Sequence, residues 1–149
     1  MDHIVYVDRP AGALEALRRG DKTMVGRAAM GRRMPYGKVS VGDTLYFTEN
    51  DGKQIIHGRG TVTRVFDSPK LTHDESVAIL GKHRKALWLS QKQFQNMAGK
   101  RYLVLVNIAR YEEVPPFHFT RRAFHSIDDW LPVRDISIVR KDGPRQDLK

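Results

Sequence analysis

The sequence contains no cysteine. That absence excludes disulfides, thiolate zinc sites and a cysteine nucleophile together, and it fits a reducing compartment. No apolar run approaches the ~20 residues that a membrane-spanning helix needs. The opening residues, Met1-Asp2-His3-Ile4-Val5-Tyr6-Val7-Asp8, carry acids and no basic flank, so no secretory signal is expected and the cytoplasm is the expected location. Repeats and low-complexity segments are missing, as are P-loop, dinucleotide and zincin motifs. Gly58-Arg59-Gly60 lacks the third glycine and the helix start of a dinucleotide site, so it reads as a bend in a strand. The six histidines share no metal-ligand spacing, so no metal or other cofactor is expected.

Acids are also missing from one long stretch. Residues 81–110 hold seven bases and none of the 17 Asp and Glu, while residues 1–40 hold eight bases and four acids. Residues 41–80 are net acidic and residues 111–149 are neutral. The whole chain carries +9 at pH 7. Such a balance favours polyanionic partners, nucleic acid above all, and two basic stretches can form one face if the fold joins them. The plain alternative is a basic protein whose charge serves solubility.

The 149 residues fit one domain, expected over residues 1–140, with a flexible tail over 141–149 too poor in apolar surface to offset its ordering entropy. A β run covers residues 3–7. A short helix is predicted over 11–19, entered near Asp8 and Pro10 and stopped by Gly20. Residues 22–28 can run extended. Asn50-Asp51-Gly52 is a strong hairpin turn between strands at 44–48 and 54–66. Thr72-His73-Asp74-Glu75 and Ser90-Gln91-Lys92-Gln93 are capping boxes, for helices expected to stop at Gly81 and near Gly99. Residues 101–111 read as a strand ended by Pro115-Pro116, and 136–139 as a last strand. Five or six strands and about three short helices, without strict alternation, predict a mixed α+β barrel.

Two stretches carry chemistry. In Lys82-His83-Arg84-Lys85-Ala86-Leu87-Trp88, cations that can neutralise phosphates precede an indole that can stack on a base or anchor the core. In Gly20-Asp21-Lys22-Thr23-Met24-Val25-Gly26-Arg27, a bulge near Gly26 would let Lys22 and Arg27 converge into an anion cradle.

That second stretch, with the Val41-Gly42-Asp43 turn and the Thr44-Leu45-Tyr46-Phe47 strand, resembles ASCH and related PUA-like domains. Gly20, Lys22 and Arg27 match the pattern Gly-x-Lys-x-x-Glu-x-Arg, with Val25 in place of its Glu. The later layout, Leu87-Trp88-Leu89-Ser90, the strand ending in Tyr111, and Trp130-Leu131-Pro132-Val133, resembles a group of archaeal PUA-like proteins. The resemblance spans residues 3–138. It implies a PUA-like pseudobarrel of five or six strands with an RNA- or modified-base-binding cleft beside the first helix. Some small relatives are amidohydrolases on N4-acetylcytidine that use a Lys, a Thr and a Glu; others are ribonucleases. Lys22 matches their Lys, Val25 stands where their Thr does, and Gly58-Arg59-Gly60 offers no acid where their Glu lies.

The expected function is therefore a nucleic-acid-binding module, for RNA first and DNA second, with no membrane partner and with a monomer favoured. Lys22, Thr23 and Arg27 would line the cleft, Arg32 and Arg33 its rim, and Lys82, Arg84, Lys85, Trp88, Lys100 and Arg101 a second patch. The alternatives are a small enzyme on RNA or a modified nucleoside, with Lys22 catalytic and Glu49 or His57 assisting, and a protein-binding adaptor using Val114-Pro115-Pro116-Phe117-His118-Phe119. That last segment reads otherwise as a loop closing one end of the barrel.

Overall fold

The computed structural model describes residues 1–141; the expected tail lies, from residue 142 on, outside them. The elements run β1 (Asp2–Val7), α1 (Ala13–Arg19), β2 (Met24–Ala29), β3 (Thr44–Glu49), β4 (Ile55–Asp67), α2 (His73–Leu87), α3 (Gln91–Met97), β5 (Tyr102–Ile108), β6 (Glu112–His118) and β7 (Trp130–Val133). The strands form a curled mixed sheet in the order β2-β5-β4-β3-β1-β7, with β6 paired to β4. β1 and β3 are parallel, and the other pairs are antiparallel.

Period-two alternation explains the layering. On β5, Val104 and Val106 face the barrel core with Val5, Phe47 and Trp130, while Leu103 and Leu105 face outward. There they meet Leu80 and Leu87 of α2. Both faces of β5 are thus buried, which accounts for its unbroken apolar run. The long β4 bends so that its first half pairs with β3 and β6 and its second half with β5. Gly58 and Gly60 permit that bend. A Cβ on Gly58 would collide with the Tyr111 ring, and one on Gly60 would stand 2.9 Å from Ile108 Cδ1.

Both capping boxes form, at Thr72 with Glu75 and at Ser90 with Gln93. Several local expectations are corrected. α2 does not stop at Gly81 but runs to Leu87, because Leu80 and Leu87 are both fully buried and their packing outweighs the ~1 kcal/mol cost of a helical glycine. Trp88 ends it instead, in the left-handed conformation at φ 57°. α1 begins at Ala13 behind Gly12, with no side-chain cap from Asp8. β2 pairs with β5 in unbroken register from Met24 to Ala29, so Gly26 marks no bulge. It is small because a Cβ there would lie 2.9 Å from Leu87 Cδ2. Residues 112–118 are strand rather than loop; Pro115 and Pro116 fit because β6 is an edge strand, where a missing N–H is tolerated. Residues 136–138 form a short 3₁₀ turn capped by Asp135, and the last strand is β7.

The buried polar group that ties β1 to β7 has a defined protonation. The Trp130 indole N–H donates to His3 Nδ1 at 3.0 Å, so the His3 proton sits on Nε2, which donates to Asp43 Oδ2 at 2.8 Å. Burial outweighs Asp43 and pushes the His3 pKa below its ordinary 6.5. The unfolded chain therefore takes the proton first, and His3's contribution, full above pH 6.5, is lost as pH falls through the lower folded value. Chemical denaturation between pH 7 and 5 should show a falling wild-type stability, and a flatter profile in His3→Gln, whose amide can both accept from Trp130 and donate to Asp43. Equal slopes in the two proteins would show that folding does not lower the His3 pKa.

Candidate functional site

β2 and β7 lie at opposite ends of the strand order, and between β2 and β1 there is a seam with no strand pairing. Arg27 bridges it. Its guanidinium donates to the Gly26 carbonyl at 2.9 Å, the Tyr6 carbonyl at 2.7 Å, Asp129 Oδ1 at 3.1 Å and the Asp129 carbonyl at 3.4 Å. It also lies over the Trp130 ring, 5.3 Å from the centroid. Four of the five guanidinium N–H groups are so engaged. Arg27 is thus a strut of the seam as well as a wall of what opens there.

What opens is a cleft of about 370 Å³. Its lining includes Lys22 and Gly26, Tyr6 and Asp8, and Trp88 and Gln93. Such a volume falls in the range of small-ligand sites, ~300–1,000 Å³. Lys22 is only 8% exposed. Its Nζ donates to the Leu87 carbonyl at 2.5 Å, and no carboxylate pairs with it among the described residues. Burial, with Arg27 adding repulsion, lowers its pKa from 10.5 to about 7. The amine at the bottom of the cleft therefore changes charge near neutral pH.

Three polar side chains from separate elements, the end of β1, the β3–β4 turn and the first turn of α3, converge at the side wall. Asp8 Oδ1 accepts from Asn50 Nδ2 at 3.2 Å, and Asp8 Oδ2 accepts from Gln93 Nε2 at 3.4 Å. Gln93 is oriented by its capping box, since its Oε1 accepts from the Ser90 N–H at 3.0 Å. Asn50 is oriented by accepting from the Arg9 N–H at 2.9 Å. The Trp88 indole is half-buried; its N–H donates to the Ala11 carbonyl at 3.1 Å, and Arg19 lies over the ring, 5.6 Å from the centroid. Trp88 belongs to none of the three buried apolar clusters and is held to the fold by its N–H.

Of the expected site residues, Lys22, Arg27 and Trp88 meet in this cleft. Lys22 and Arg27 converge because the seam, rather than a bulge, brings them together. Thr23 is exposed and stands outside the cleft lining. Arg33 lies by a shallow notch next to Arg27, and Arg32 stacks over Tyr36 and Tyr102. Arg84 and Lys85 line a second depression beyond Trp88. They are on the last turn of α2, where cations also complement the helix dipole. Lys82, Lys100 and Arg101 stand outside the cleft lining. So do Glu49 and His57; His57 lies at the β4 irregularity facing Phe47 and Thr48. The cleft is less basic than expected, because Asp8 and Asp129 balance Lys22 and Arg27. Asp8, Asn50 and Gln93 were visible only as turn and capping residues.

The architecture is a curled mixed β half-barrel with α1 against its core side, α2 and α3 against its outer face, and a polar cleft at its seam. Among solved structures it is similar to the ASCH protein of Zymomonas mobilis, with a TM-score of 0.66 at 12% identity over 90% of this chain and 88% of that one. A point variant of that protein gives 0.66 at 14% identity over 99% and 95%. The N-terminal domain of Staphylothermus marinus McrB gives 0.53 at 12% identity over 92% and 90%. No family profile and no curated protein matches the sequence. The fold is ASCH/PUA-like. Among the described residues no helix is long and apolar enough to cross a membrane.

Proposed function

We propose that the seam cleft takes one base of a nucleic acid, RNA in the first place and DNA in the second. The observation that carries this reading is the convergence of an indole face, a cation and an oriented amide pair in one cavity of about 370 Å³. A base offers a flat face to Trp88 and edge acceptors and donors to Lys22, Asn50 and Gln93. The carboxylates of Asp8 and Asp129 disfavour a phosphate inside. The net charge of +9 supports a polyanionic ligand, and the ASCH-like fold is compatible with it.

Titrating single-stranded RNA and DNA by calorimetry tests the reading. Wild type should bind with an affinity that falls linearly in log salt. Trp88→Ala should weaken binding ~10-fold or more, since a stacked base is worth ~1–3 kcal/mol, and Trp88→Phe should recover part of it. Equal binding by Trp88→Ala and wild type would refute the base-stacking role.

One observation favours an enzyme as the second reading. At pH 7 and above a substantial part of Lys22 is neutral. A neutral amine can keep one N–H on the Leu87 carbonyl while its lone pair accepts a proton. Val25 replaces the threonine of the amidohydrolase pattern, so Asp8 would have to supply the second group. Release of cytidine from N4-acetylcytidine, or cleavage of RNA, that vanishes in Lys22→Met would establish this reading.

A further inference from the structure

We propose that Lys22 is a covalent anchor for small uncharged aldehydes: its Nζ adds to the carbonyl carbon inside the seam cleft and holds the ligand as an imine. The proposal uses only the amine and the room around it, so it stands whether or not the cleft takes a base.

The placement of the amine carries it. Lys22 is the one buried lysine among the described residues; Lys100 is half-buried and the others are exposed. The Leu87 carbonyl is the one hydrogen-bond partner of its Nζ among those residues. An ammonium there would leave two N–H groups without a protein acceptor, whereas a neutral amine keeps the Leu87 bond and still presents a lone pair. Lys22 also lines an open cleft of about 370 Å³, so a small molecule can enter beside it. The lowering of its pKa to about 7 agrees with this geometry. An exposed lysine at neutral pH is almost wholly protonated and has no lone pair to give. Desolvated lysines are the ones that form Schiff bases.

The step balances without an oxidant or a reductant. The Nζ lone pair bonds to the aldehyde carbon while the C=O π pair moves to the oxygen. The two amine hydrogens then leave with that oxygen as water, and the C=N bond forms. A proton taken up from solvent turns the imine into an iminium with one N–H, and the Leu87 carbonyl that accepts from the amine can accept from it. The lining selects the ligand's charge. With Lys22 neutral, the cleft holds one cation, Arg27, against two carboxylates, Asp8 and Asp129, and Arg27 is already paired with Asp129 at 3.1 Å. An anionic aldehyde is therefore disfavoured. Trp88, Leu89 and Met97 in the same lining suit an apolar or aromatic body.

The test uses the wild-type protein with benzaldehyde or the anionic para-formylbenzoate. Cyanoborohydride reduces each imine to a stable secondary amine, and peptide mass spectrometry finds the labelled lysines. At pH 7 benzaldehyde should label Lys22 at ~10 times the rate of the exposed Lys38 and Lys70 or more, because about half of Lys22 is neutral and an ordinary lysine hardly at all. That ratio should shrink from pH 7 to 10 as the exposed lysines lose their protons, a trend that accessibility alone would not produce. With each rate referred to that of Lys38, para-formylbenzoate should label Lys22 several-fold less than benzaldehyde does, and Asp8→Asn should narrow the gap. Labelling of Lys22 no faster than that of Lys38 and Lys70, or the same preference between the two aldehydes at Lys22 as at Lys38, overturns the proposal.

Discussion

Replacing Lys22 by methionine is expected to raise the protein's stability at pH 6 while removing its ligand binding. Lys22 is buried, donates to one carbonyl and has no carboxylate partner among the described residues. Its pKa falls from 10.5 to about 7, so the unfolded chain holds the proton far more tightly than the folded one. The wild type therefore gains stability as pH rises from about 7 to 10.5, and below pH 7 it carries the full penalty of a buried charge. That difference corresponds to about 5 kcal/mol. Methionine removes the charge but leaves the Leu87 carbonyl without its donor, which costs ~1–3 kcal/mol. The net gain at pH 6 is then ~2–4 kcal/mol, or roughly 5–15 °C in Tm for a chain of this length. At pH 11 both states of the wild type hold a neutral amine, and the variant should be the less stable by ~1–3 kcal/mol. The two stability curves should thus cross between neutral and alkaline pH. Parallel curves would show that the Lys22 pKa is not depressed.

Local chemistry made much of this fold legible. Both capping boxes are self-contained signals, since the cap and the residue three positions on satisfy each other's backbone donors. The Asn50-Asp51-Gly52 turn needs positive φ at its glycine, and Gly52 supplies it at 78°. The apolar run in β5 announced a strand, and the structure shows both of its faces buried. The misses have a common cause in contacts made far along the chain. Gly81 reads as a stop only until the burial of Leu87 against β5 is known. Pro115 and Pro116 read as breakers only until β6 is seen to pair on one side alone.

The same distinction divides the cleft. Lys22 and Arg27 were found because they lie five positions apart in one short pattern. Asp8, Asn50 and Gln93 come from the end of β1, the β3–β4 turn and the start of α3, and only closure of the half-barrel brings them together. Their sequence signals were real but assigned to local duties. Arg27 shows the converse. It lines the cleft, yet its guanidinium is mostly committed to the Tyr6 and Gly26 carbonyls and to Asp129, which no local pattern reveals. A phosphate at Arg27 would have to displace Asp129, so under the proposed reading the charge that meets a ligand inside the cleft is chiefly that of Lys22.

That charge gives the two functional readings opposite pH signatures. A binder uses the protonated amine, because an ammonium donates the stronger hydrogen bond to a base acceptor. Bound ligand then raises the Lys22 pKa, and affinity should fall about tenfold per pH unit above the free site's value of about 7. From pH 7 to 9 the loss approaches ~100-fold. Binding near pH 8 should take up close to one proton, measurable by calorimetry in buffers of different ionisation enthalpy. Lys22→Arg, charged throughout this range, should flatten the profile in any variant that still folds. A hydrolase uses the neutral amine as a base, and its kcat/KM should instead rise through pH 7 and level off. Nucleic-acid affinity that stays constant from pH 7 to 9, with no proton uptake, would remove Lys22 from recognition. A rate that climbs over the same interval would move the cleft from binding to catalysis.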